Sequence, residues 1–102
     1  MTLALRRSDP NPPTYTIGAL DLNWDLANIF TKSISANSTF TFSNAKEGKI
    51  IIFKVVNTSA AQVTLTWPAS VISADNNVSA NKTRIYTFVY SGSSIYASSV
   101  EF

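Results

Sequence analysis

The side chains able to do chemistry in this sequence are few, and their spacing decides what they can do. With no His and no Cys, the six acids Asp9, Asp21, Asp25, Glu47, Asp75 and Glu101 are left as the ordinary candidates for proton transfer or metal binding. Asp21 and Asp25 are the closest pair on strand-like sequence, but they flank one short apolar stretch and no partner acid faces them. They read as surface charges rather than as a glycosidase pair. Asp75-Asn76-Asn77 matches a fragment of a calcium loop yet lacks the later ligands and the bidentate Glu, so it reads as a turn. Gly18, Gly48 and Gly92 lie too far apart to build a phosphate-cradling loop. None of the serines sits in a nucleophile elbow, and there is no histidine to activate one. The sequence therefore predicts no catalytic residue, no cofactor-binding residue, no metal ligand and no enzymatic activity.

What remains is recognition by surface. A net charge of +2 spread over eight scattered basic residues makes no footprint for nucleic acid; only Arg6 and Arg7 are adjacent. Tyr86, Tyr90 and Tyr96 are of the type that stacks against a sugar ring, and equally of the type that edges a core and an interface. Sequons begin at Asn37, Asn57, Asn77 and Asn81, a frequency that follows from Asn, Ser and Thr making up about a third of the chain. The longest apolar run, Ile50 to Phe53, is too short to span a bilayer and Met1 to Leu5 too short for a signal-peptide core. The expectation is a soluble product of the cytosol, with no membrane partner.

The elements that would carry such a surface are strands. Charged residues are 14 %, well under the usual share, and Thr, Val, Ile, Tyr and Phe prevail over helix formers. Residues 1–18 stand apart as an extended arm, because Pro10, Pro12 and Pro13 remove backbone donors and hold the chain near polyproline II. Leu3, Leu5, Arg6, Arg7 and Tyr15 are its expected anchors on a partner. Residues 19–102 form the domain, with period-two alternation in Ala19–Trp24, Ile29–Ile34, Thr39–Phe42, Val63–Trp67 and Arg84–Tyr90. Ser91-Gly92-Ser93 turns the last of these into Ile95–Val100 as a hairpin. Lys49–Asn57 leaves little polar face, which fits either a strand whose second side is covered by the arm, a loop or another subunit, the last pointing to self-association through Ile51, Phe53 and Val55, or a plain central strand with a few exposed apolar residues. About seven short strands at spacings of roughly 8 to 14 residues predict an all-β fold, a small antiparallel, jelly-roll-like β-sandwich.

Several stretches taken in order carry a resemblance. They are Leu22-Asn23-Trp24, Phe30, Asn37-Ser38-Thr39-Phe40-Thr41-Phe42-Ser43-Asn44, Glu47-Gly48-Lys49, Val63-Thr64-Leu65-Thr66-Trp67-Pro68, and Tyr86-Thr87-Phe88-Val89-Tyr90-Ser91-Gly92 with Tyr96. Over about residues 20–98 the chain resembles a β-sandwich module of tailed-bacteriophage virion proteins, found in tail-fibre and tip proteins and in small capsid-surface proteins. It departs from that module after Trp67-Pro68, where Ser70–Ala74 holds no further tryptophan. Combined with an arm that starts at Met1, the resemblance implies a stand-alone capsid cement or decoration protein. Such a protein would be made in the host cytoplasm and seated on the virion capsid surface as a homotrimer, its arm strapped across the major capsid protein. The alternative it implies is a tail-fibre or baseplate tip module that binds a receptor glycan.

Overall fold

A computed structural model describes residues 14–72 and 74–102. Among these residues there is no helix, and eleven strands follow one another: β1 (Thr14–Thr16), β2 (Asp21–Asn23), β3 (Ile29–Ile34), β4 (Ser38–Thr39), β5 (Thr41–Ser43), β6 (Ile50–Asn57), β7 (Val63–Thr66), β8 (Val71–Ile72), β9 (Asn77–Val78), β10 (Thr83–Ser91) and β11 (Ser94–Glu101). The all-β expectation holds. The antiparallel sandwich of about seven strands does not.

The first strands stack in parallel. Thr14–Thr16 lies along Ile29–Thr31, Ile29–Ile34 along Ile52–Asn57, Asp21–Asn23 along Thr41–Ser43, and Ser38–Thr39 along Leu65–Thr66. The chain thus turns a corner after each strand, enters another sheet, and returns one rung further on, giving a small β-solenoid of about three turns. Backbone bonds carry the rungs round the corners, as in Trp24 N to Ser43 O (2.9 Å) and Phe40 N to Thr66 O (2.8 Å). Alternation tells which residues are buried, but it is silent on the direction of the neighbouring strand. That is why the same pattern fits an antiparallel sandwich as well as a coil.

The longest face of the coil is a six-stranded sheet in the order β1-β3-β6-β10-β11-β8. It begins parallel, is antiparallel on both sides of β10, which pairs with β6 and, through the predicted hairpin, with β11, and is parallel again between β11 and the edge strand β8. At the tip, Gly92 (φ 63°) and Ser93 (φ 68°) both adopt the left-handed region, the geometry of a two-residue turn that matches strand twist. Of the segment read as an arm, residues 14–18 are described, and they join the fold: Ile17 is buried and Thr14–Thr16 form the edge strand.

The core is aromatic. Trp67, itself partly buried, packs against it, stacked on Phe40 (5.1 Å) and meeting Tyr86 (4.9 Å), Phe88 (5.1 Å), Phe42 (6.1 Å) and Phe53 (6.2 Å). Trp24 closes one end against Phe42 and Tyr90. Rings from several faces and turns meet here, so each locks the stacking of its neighbours; each such pair adds about 0.5–1.5 kcal/mol beyond its buried area.

Candidate interaction face

Burial alternates residue by residue along β6, and this decides which side chains point outward. Ile51, Phe53 and Val55 are fully buried inside their own chain. The expectation that these three form the contact between copies is therefore corrected: Phe53 pairs with inward Phe30, which fixes the whole set toward the core. The outward set is Ile50, Ile52 and Lys54.

Register extends this outward set across the sheet. Ile50 lies beside Val89, Val89 beside Tyr96, and Tyr96 beside Ile72, making one apolar row. Ile50 is 52 %, Tyr96 50 % and Ile72 40 % exposed. At the other end of the strands Val100 and Phe102 are 58 % and 67 % exposed, next to a shallow hollow of about 180 Å³ lined by Ile85, Thr87, Ser98, Ser99, Val100 and Phe102. Thr87 and Ser98 face each other between the two bands. Lys54 is the one charged side chain on this face among the described residues.

The other expected sites fall as follows. Leu3, Leu5, Arg6 and Arg7 lie outside the described residues. Tyr15 is on β1, 42 % exposed, with its ring edge-on to Phe30 at 6.1 Å. The three tyrosines do not form a platform. Tyr86 is fully buried and Tyr90 packs inward on Trp24, whereas Tyr96 faces out on the opposite side of the sheet.

The acids act as braces. Asp21 accepts hydrogen bonds from Thr41 Oγ1 (2.7 Å) and Ser43 Oγ (2.6 Å), tying rung to rung, and Asp25 pairs with Lys46. Asp75 Oδ1 accepts from Asn77 N at 3.0 Å, a local Asx turn. Glu47 accepts from the Gly92 amide at 3.0 Å and so holds the hairpin tip. Among the described residues no three acidic side chains converge.

Arg84 organises the remaining polar cluster. It donates to Asn77 O (2.9 Å) and Ser99 Oγ (2.9 Å) and lies 3.6 Å from both Asp75 and Glu101. Glu101 accepts from Ser79 N (2.8 Å) and Ser79 Oγ (3.0 Å). The backbone hydrogen bond from Ser79 is the first cause that holds its carboxyl below the usual range, with Arg84 assisting. Tyr86 donates to Asp75 O at 2.5 Å, and burial pushes its phenol well above the ordinary tyrosine range, so it stays a neutral donor. This cluster seals the loop between β8 and β10 onto the coil.

A second hollow, about 360 Å³, opens beside Trp67 and Pro68, with Thr64, Thr66 and Asn76 offering hydroxyl and amide groups along its wall. Comparison with protein-family models, curated proteins and solved structures found no match. The interaction face therefore rests on geometry alone. Sequence reasoning missed Ile50, Ile52, Tyr96, Val100 and Phe102 as the outward set. The signal was present in the doubly apolar β6 segment, but choosing between its two faces required the partner strand.

Proposed function

We propose that this chain is a virion structural protein, a capsid cement or decoration protein that bridges subunits of the shell as a homotrimer. The observation that carries the reading is the outer face of the six-stranded sheet, which leaves Ile, Val, Tyr and Phe side chains uncovered although the aromatic core is already closed. Isolated exposed apolar residues are ordinary, whereas a band running across neighbouring strands calls for a protein partner. The polar braces on the other faces suit a surface that stays wet. The resemblance to phage virion modules, in the segments from Leu22 to Tyr96, supplies the setting.

In this reading Leu3, Leu5, Arg6 and Arg7 grip the major capsid protein, and Tyr15 marks where the arm leaves the coil. The work done is mechanical: many small clamps bury area between shell subunits and oppose the pressure of packaged nucleic acid, without turnover. The test is localisation on the particle. Antibody raised against the chain should label the faces of the head; label confined to the tail tip would select the alternative, and absence of label from virions would overturn both.

The second reading, a receptor-binding module of a fibre or baseplate tip, is favoured by one feature, the hollow beside Trp67. Its volume is in the range of small-ligand sites, and Thr64, Thr66 and Asn76 present hydrogen-bonding groups next to an indole, as sugar recognition needs. Under this reading Asn76→Ala lowers retention on a glycan array at unchanged melting temperature; a glycan-binding signal indifferent to Asn76 would remove the hollow from consideration.

A further inference from the structure

We propose that copies of this chain meet through the outer face of the six-stranded sheet, the band around Tyr96 of one copy packing on the band around Val100 and Phe102 of the next. The proposal deepens the shell-binding reading and rests on it for the number of copies only.

Area comes first. The six most exposed apolar side chains of this face, Ile50, Ile52, Ile72, Tyr96, Val100 and Phe102, together present on the order of 600 Å². Summed over both bands that reaches the top of what a monomer ordinarily leaves bare; a head-to-tail contact takes one band from each copy, about half of it, so the whole is covered only when every copy is held on both sides, as in a closed ring.

Shape and charge then select the partner. The two bands lie at opposite ends of the same strands, separated on β10 and β11 by Thr87 and Ser98 and joined on β6 by Ile52. One carries a protruding ring, Tyr96 at 50 % exposure; the other carries the hollow beside Val100 and Phe102. A surface holding both a knob and a cavity is complementary to a copy of itself, and placing the first band of one copy on the second band of its neighbour satisfies both. Lys54 stands beside Ile85, at the far end of the second band from Phe102, and the first band carries no charge to oppose it. Head-to-tail contact therefore forces no like charges together and calls for no acidic partner. In the shell-binding reading the same contact repeats and closes as a ring of three.

The test uses the absence of cysteine from the chain. Full-length Tyr96→Cys and Val100→Cys proteins are mixed and mildly oxidised. A covalent pair containing one chain of each is expected in the mixture, with little cross-linking in either sample alone. A mixture no more cross-linked than the single variants overturns the proposal. Sedimentation equilibrium of the unaltered chain supplies the second measurement. A trimer supports both the contact and the shell-binding reading. A dimer with the mixed cross-link supports the contact and removes the three-fold seat. A monomer at high concentration overturns the contact itself.

Discussion

Asn57 shows how much one side chain can hold in this coil. It is buried to 1 % exposure at the end of β6, its amide donates toward Ala61 O, Val78 O and Ser79 O, and its carbonyl accepts from Ser59 N and Oγ. Neighbouring corners of the coil are thereby pinned from one position. Asn57→Ala leaves several buried backbone groups without partners and should cost about 3 kcal/mol, read from urea unfolding; a loss below about 1 kcal/mol would show that water replaces the amide. Glu101 gives a prediction in pH. Its folded carboxyl lies below the ordinary value of 4.5, so the ionised form favours the fold; that contribution is present at neutral pH and is lost as pH falls through the lowered value. Glu101→Gln should therefore melt below the parent at neutral pH, with the gap closing under acid conditions. A gap that stays constant on acidification would contradict the assignment. These roles are hidden in the sequence, where Asn57 is the end of the Lys49–Asn57 strand and the start of a sequon, and Glu101 only one of six acids.

Strands carry the next scale, and β6 is the sharpest case. Ile50 and Ile51 are adjacent and chemically identical, yet one is half exposed and the other fully buried. Ile51→Lys should abolish cooperative folding, because an unpaired ammonium would enter the aromatic core. Ile50→Lys should leave the far-ultraviolet circular dichroism and the monomer's unfolding free energy within about 1 kcal/mol of the parent. Equal damage from both would mean that β6 is covered on both sides within a single chain. The existence and type of most strands could be read from alternation, as could the final hairpin, since Val-Thr-Leu-Thr and Tyr-Ser-Gly-Ser-Ser-Ile each fix a local geometry; Thr39–Phe42, which alternates like one strand, is instead a corner at Phe40 between β4 and β5 of different sheets. What alternation lacks is partner identity. Leu22 over Phe42 and Ser38 beside Leu65 are pairings between segments far apart in sequence, and the successive turns of the coil differ in length, so no repeat announces them.

At the scale of the molecule, a closed aromatic interior sits behind a sheet whose outer side remains apolar at both ends of its strands. The scarcity of charge, plain in the composition, makes a polar and largely uncharged surface legible in the sequence. The location of that contact is not legible there, because it depends on a coil in which β6 takes a central place in the sheet. The proposed shell binding joins that face to the expected anchors Leu3, Leu5, Arg6 and Arg7. The most direct measurement of this central claim is the temperature at which undecorated heads come apart, followed by calorimetry with and without added protein. The account predicts that the full chain raises that temperature, and that Leu3→Asp combined with Leu5→Asp removes the gain while leaving the isolated protein's own melting unchanged. Heads that rupture at the same temperature whether or not the protein is bound would contradict it.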